Sequence, residues 1–189
     1  MAENRTTANP ATAQKEEAVN EKFRIFRNAD AVDMRESGRV TYSNLDAERE
    51  LALRQIQDAG GEEGSETEHI FSAGGMSLGR VWFKSGFPLI LHSHDSNCLY
   101  YITAGSLRLG TNVLGVGDGF FVPADVPYAY TAGDEGVELL EFRNAEGYDF
   151  KLASRSSKYY QRIAQVLTSR VPIWSGEDRP GREASAAAC

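Results

Sequence analysis

Between residues 66 and 143 the chain is a succession of short runs rich in Val, Phe, Tyr and Leu, broken by Gly, Pro or Asp about every 8 to 12 residues. That spacing points to an all-β sandwich or barrel, because each interruption offers a turn before a helix is complete. The expected strands are Ser77–Phe83, Leu89–His94, Cys98–Thr103, Leu107–Leu109, Gly119–Val122, Tyr128–Thr131 and Val137–Arg143. Turns are expected at Ser85-Gly86, Ala104-Gly105, Gly117-Asp118 and Gly133-Asp134, residue pairs suited to tight reversals.

The flanks have a different texture. Residues 1–20 and 175–189 are polar or Ala/Ser-rich without apolar periodicity and are expected to be disordered tails. Residues 21–65 form an N-terminal extension. Phe23 and Ile25 alternate there as a possible strand, and DAERELALRQIQDAGG reads as a short helix capped by Ser43 or Asn44 and stopped by Gly60. Its apolar face is thin: Leu45, Ala52 and Ile56. After a barrel over 66–150, residues 151–174 form a closing segment in which Ser157–Ser169 carries Tyr159, Tyr160, Ile163, Val166 and Leu167 at helical spacing.

Composition removes several classes of function. No apolar run approaches the roughly 20 residues of a membrane span. The first twenty residues lack the apolar region of an export signal, so a cytoplasmic protein is expected. Of the two cysteines, Cys98 lies mid-domain and Cys189 ends the chain, which fits free thiols in a reducing compartment. The net charge of −7, with Lys and Arg scattered, argues against a nucleic-acid partner.

The chemistry gathers in the β region. On a strand, residues two apart share a face, so His92 and His94 project side by side with Ile90. Two imidazoles on one face make half of a metal site. If Cys98 points inward, so do Tyr100 and Ile102, and beyond the Pro123–Pro127 turn Tyr128 and Tyr130 share a face too. The interior would then hold two histidines, a thiol and up to three phenols.

Gly86-x5-His92-x-His94-x3-Cys98-x6-Gly105 resembles the first motif of the cupins, and Gly117-Asp-Gly-Phe-Phe-Val-Pro123-Ala-Asp125-Val-Pro-Tyr128 resembles their second. The resemblance covers about residues 77–143 and implies an RmlC-like double-stranded β-helix, a jelly-roll barrel, with a short C-terminal helix. It also implies one divalent metal ion (Fe, Zn, Mn or Ni), held at the His92 and His94 positions. The remaining ligand positions depart from the pattern. The motif-one Glu is Cys98, and the motif-two His is Tyr128. Asp125 replaces a glycine, a role Asp fills because it tolerates left-handed backbone, and Ala132 replaces an asparagine.

His92, His94 and a Cys98 thiolate, with one water, would form an open tetrahedral metal site suited to zinc. Tyr128 is better suited to donating a hydrogen bond or a proton than to ligation, since a phenolate is costly near neutral pH, and Tyr100, inward in phase with Cys98, is the second catalytic candidate. A carboxylate from Asp95, Glu138 or Glu141, or a third imidazole from His69, could complete the set instead.

What the resemblance implies about activity is open between classes. The first expectation is a metal-dependent enzyme acting on a small apolar or aromatic molecule, most readily an Fe(II) dioxygenase-type oxidoreductase. Its rivals are a zinc-type lyase or isomerase using Cys98, and a non-catalytic small-molecule-binding cupin that has lost metal. Cupins commonly pair, so a homodimer is expected, with the Phe23–Phe26 segment available to a partner subunit.

Overall fold

The structure is a computed structural model and describes residues 22–179. In chain order the strands are β1 (Val32–Asp33), β2 (Val40–Thr41), β3 (Ser65–Ala73), β4 (Met76–Phe83), β5 (His92–His94), β6 (Cys98–Leu109), β7 (Asn112–Gly115), β8 (Gly119–Val122), β9 (Thr131–Arg143) and β10 (Tyr148–Leu152). Helix α1 (Ala47–Asp58) lies between β2 and β3, and α2 (Ser157–Trp174) follows β10. A 7-stranded sheet runs β1-β3-β4-β9-β6-β7, with β8 also on β6; a 3-stranded sheet runs β2-β10-β5. The expected all-β barrel with a C-terminal helix is therefore the observed fold.

Its core follows the period-2 rule. On β6, Cys98, Tyr100 and Ile102 are buried while Leu99 and Tyr101 are exposed. On β9 the inward phase is Val137, Leu139, Glu141 and Arg143. Each strand thus offers an apolar row inward, and on β9 that row ends in two charged residues. Four apolar side chains remain outside on neighbouring strands: Leu99, Tyr101, Phe121 and Phe142. Leu99 is in register with both Phe121 and Phe142, which makes a row across three strands.

Two expected turns are absent. β6 passes unbroken through Ala104-Gly105, and β9 passes through Gly133-Asp134. The glycines serve a close approach between these strands rather than a reversal. Gly105 has φ +68°, and a side chain there would overlap the Gly136 carbonyl. The register shifts between Ile102 and Ala104, and again between Gly105 and Leu107, so these are bulges.

The stretch expected as strand Leu89–His94 is a ladder only at His92–His94. Ahead of it, single bridges join Pro88 to Thr131 and His92 to Tyr128, so Tyr128–Thr131 is not a separate strand. β3 has no apolar alternation: eight of its nine residues are half-buried on both faces, and periodicity could not have found it.

The helices differ at their ends. Asp46, not Ser43 or Asn44, caps α1, its side chain accepting the Arg49 N–H. Ala52 and Ile56 are buried as expected, with Leu45 packed against the same core. α2 extends past Ser169 to Trp174, which is 1% exposed and donates from Nε1 to the Ser85 carbonyl at 2.9 Å. The expected tail from residue 175 starts in contact with the barrel, because Arg179 pairs with Glu138 at 2.7 Å and Glu68 at 3.0 Å. Phe23–Phe26 forms no strand; Phe26 rests its ring on Phe71 at 5.1 Å. The expectations for residues 1–20, and for Cys189, lie outside the described residues.

Candidate active site

His92 and His94 stand on β5 with both rings buried, 2% and 5% exposed. β5 pairs with β10, which places Leu152 opposite His92 and Phe150 opposite His94. The Phe150 ring stacks on His92 at 4.4 Å with 6° between planes. From α2, the Tyr159 hydroxyl accepts the Leu91 N–H at 2.7 Å and pins the chain just before His92. The turn between β8 and Tyr128 depends on Asp125, at φ +63°, whose N–H bonds the His94 carbonyl. The left-handed backbone expected of this Asp is observed.

Both imidazoles are held in one tautomer. His92 Nδ1 lies 2.8 Å from the Ile90 carbonyl, and His94 Nδ1 lies 3.1 Å from the Asp149 carbonyl. A carbonyl can only accept, so each Nδ1 carries the hydrogen and each Nε2 presents a lone pair. Burial pushes His92 down to about 4; burial, with the Arg143 charge second, pushes His94 down to about 2. Both rings are neutral at pH 7. Their Nε2 atoms nevertheless face one another at 3.1 Å, and the Tyr128 hydroxyl sits 2.9 Å from one and 3.2 Å from the other. One phenolic proton cannot satisfy two lone pairs.

Behind Tyr128 a file of donors runs to the large sheet. Arg143 Nη2 donates to the Tyr100 hydroxyl at 3.4 Å and to Glu141 Oε2 at 2.8 Å. Tyr100 bonds Tyr128 hydroxyl to hydroxyl. Since Tyr100 accepts from Arg143, its proton points to Tyr128, whose own proton points to a histidine. Burial, with Glu141 next, holds both phenols well above their usual range. Burial works against the Arg143 charge, but Glu141 and the surrounding phenols more than offset it. The guanidinium lies over the Tyr148 ring, 3.9 Å from its centre.

His92, His94, Tyr128, Glu141 and Arg143 line a cavity of about 170 Å³ together with aromatic rings, among them Phe83, Tyr130, Tyr148 and Phe150. A second cavity of about 200 Å³ adjoins it and shares Arg35, Tyr42, Thr67, Phe83, Leu89 and Phe150. Two residues that line the first, Arg143 and Tyr130, each carry a polar atom, Nη1 and the hydroxyl, that is buried without a hydrogen-bond partner among the described residues. A buried donor left unsatisfied costs about 1–3 kcal/mol.

Tyr128 therefore joins both histidines, while Tyr100 backs Tyr128 without reaching the cavity wall. Cys98 stays outside. It is opposite Arg143 in register, its Sγ contacts the Leu99 carbonyl at 3.9 Å, and burial, with Glu141 second, pushes its thiol up to about 12. Among the described residues no three His, Cys, Asp or Glu side chains are grouped to hold a metal. Asp95 is occupied by the Asp149 N–H, Glu138 by Thr103 and Arg179, and His69 lies off this cavity's wall on β3. Glu141 does reach the wall, though Arg143 takes one of its oxygens.

Sequence reasoning overlooked Arg143, Tyr148 and Phe150. For Arg143 a signal existed, a charged residue on the inward phase of Val137-Leu139-Glu141-Arg143.

No protein-family model matches this chain, and no curated protein matches it. Solved structures resemble it in fold. An RmlC-like cupin from Shewanella frigidimarina aligns over 45% of this chain and 78% of its own, with 21% identity and a TM-score of 0.41. KdgF from Halomonas sp. aligns over 43% and 79%, with 17% identity and a TM-score of 0.40. The polyketide cyclase RemF from Streptomyces resistomycificus aligns over 57% and 84%, with 15% identity and a TM-score of 0.47.

Proposed function

We propose that this cupin barrel is a small-molecule enzyme whose centre is a divalent cation held by His92 and His94, with Tyr128 as proton donor. The observation that carries the reading is the pair of Nε2 lone pairs converging at 3.1 Å with one phenolic proton between them. Lone pairs so placed repel unless an electrophile is shared. Their separation is less than twice a metal–imidazole bond of about 2.0–2.1 Å, so one ion can touch both. Imidazole donors suit Zn, Fe or Ni better than Mn, and with no third His, Cys, Asp or Glu grouped beside them among the described residues they would leave the ion's other positions to water or substrate.

A bound ion would supply polarisation of a substrate oxygen or, as iron, activation of oxygen. The chain's own residues do the rest. With both lone pairs engaged, the Tyr128 proton is freed to point at a substrate oxygen. Tyr100 and Arg143 stand behind it as donors and steady the negative charge left on its oxygen after transfer. The aromatic walls exclude water and suit an apolar or aromatic substrate.

This arrangement favours proton-transfer chemistry, of the lyase, isomerase or cyclase kind. Dioxygenase-type cleavage stands beside it as the reading that iron would favour. The test is metal content by mass spectrometry on protein purified without chelator. The expected result is near one ion per chain, lost in His92→Ala/His94→Ala; zinc supports the first chemistry and iron the second. Under about a tenth of an ion per chain, with no uptake of added Fe(II), Zn or Mn, would move the site to a non-catalytic binding role.

We also propose that two copies pair through the exposed row Phe121, Leu99 and Phe142, an apolar strip on the outer sheet face.

A further inference from the structure

Two residues lining the cavity each carry a buried polar atom, unpartnered among the described residues, that the proton-donor file does not use. Arg143 spends Nη2 on Glu141 and Tyr100, while its Nη1 is buried with no protein partner. The Tyr130 hydroxyl is in the same condition. Trp82 Nε1 and Ser96 Oγ are also buried and unpartnered, but neither residue lines this cavity. The unmet demand is therefore focused on one space, and it comes from a side chain only 4% exposed. A guanidinium is a planar fork with five donors. Ion pairing and stacking on Tyr148 fix its plane, so Nη1 cannot swing away to find solvent.

The missing partner is an acceptor, and the charges nearby say of which kind. Glu141 already balances the Arg143 charge at 2.8 Å. With no cation on the histidines, a second carboxylate at Nη1 would put an uncompensated negative charge in a desolvated space next to Glu141. A neutral carbonyl or ether-like oxygen meets the demand without that cost. Size narrows the class further. A cavity of about 150 Å³ accommodates benzene, so about 170 Å³ suits one ring with a short substituent. A larger molecule would extend into the adjoining space of about 200 Å³ past Phe83, Leu89 and Phe150.

Resting on the reading of this cavity as a substrate site, we infer that Arg143 and Tyr130 form a polar anchor for the neutral carbonyl oxygen of a one-ring aromatic ligand. Arg143 donates from Nη1, and Tyr130 donates its hydroxyl proton or accepts from a hydroxyl beside the carbonyl. Arg143 then has two duties: Nη2 backs the proton donor through Tyr100, and Nη1 orients the substrate. Tyr130 is a specificity determinant, with no part in the transfer itself.

The experiment is a ligand-observed NMR titration of the full chain after chelation, so that no metal can select for oxygen. The probes are acetophenone, α-methylstyrene (the same shape with CH₂ in place of the carbonyl oxygen) and benzoate. The expected result is acetophenone binding about tenfold or more tighter than either of the others. In Tyr130→Phe, and in the Arg143→Met/Glu141→Gln double variant that removes both charges together, the preference over α-methylstyrene should shrink to about threefold or less. Should the double variant fail to fold, the wild-type series and Tyr130→Phe still decide.

Equal binding of acetophenone and α-methylstyrene overturns the anchor but leaves the cavity as a substrate site. Tighter binding of benzoate overturns the neutral class. A preference that survives in both variants removes Arg143 and Tyr130 from the assignment. Failure of all three probes to bind overturns the anchor and the substrate-site reading together, whereas loss of metal binding alone touches only the cation proposal.

Discussion

At the scale of single residues the site is governed by who holds which proton. Each Nδ1 proton is committed to a backbone carbonyl, and burial keeps both rings neutral, so they do not take up the protons that the unfolded chain accepts freely. Their folded values, about 4 and about 2, lie below the ordinary 6.5. The stability they contribute is complete above pH 6.5 and is lost as pH falls, His92's share being spent near pH 4. The slope in that window is up to about 1.4 kcal/mol per pH unit for each histidine. Urea unfolding at pH 7 and pH 5 should show the loss, and His92→Gln/His94→Gln should flatten it; an unchanged slope in that variant would assign the acid sensitivity elsewhere. The thiol has the opposite character, since at about 12 it remains protonated. Cys98→Ser should leave metal content unchanged, and a fall to background would return sulfur to the ligand set. Period 2 made His92, His94, Tyr100 and Tyr128 legible in the sequence as a single inward group. Cys98 shares that phase, and only three-dimensional placement separates it from the histidine pair. The role of Arg143 was beyond reach, because the register of β6 against β9 shifts at two bulges whose sum no local pattern reveals.

At the scale of elements, those bulges explain both the failed turn predictions and the position of the site. A glycine is equally suited to a reversal and to a close strand approach, so Ala104-Gly105 and Gly133-Asp134 read as turns until their partners are seen. Below the bulges, the register places Tyr100 opposite Glu141 and Cys98 opposite Arg143, which brings the donor file to the cavity. Gly105→Ala would face both a left-handed backbone and the Gly136 carbonyl. A loss of roughly 2 kcal/mol or more is expected in chemical denaturation, with metal binding weakened alongside it; a change under about 0.5 kcal/mol would show that the two strands can part without cost. α2 was found by its apolar spacing, but its last turn was not. Its end depends on Trp174 reaching the Ser85 carbonyl, a contact across 89 residues of chain.

At the scale of the whole molecule, the fold was readable because two motifs and regular turn residues agreed on one barrel. The extension before it gave less warning. Met34, Arg35, Val40 and Tyr42 line the cavity, although β1 and β2, in or beside which they lie, are only two residues long, too short to register as periodic. The outer face carries the prediction about assembly. Light scattering behind size-exclusion chromatography should give about 42 kDa, twice the 20.8 kDa of one chain, and Leu99→Lys/Phe121→Lys should return it to one chain. A wild-type mass near 21 kDa would leave the strip without its proposed partner.

The central claim, a cation shared by His92 and His94 with Tyr128 as proton donor, is tested most directly by Co(II) titration of the chelated protein followed by visible absorption. Wild type and Tyr128→Phe should each take up one Co(II) with similar spectra, while His92→Gln and His94→Gln each lose the band. A band that survives in both histidine variants, or no uptake by wild type, would contradict the shared-cation site; a band lost in Tyr128→Phe alone would make the phenol a ligand rather than the donor.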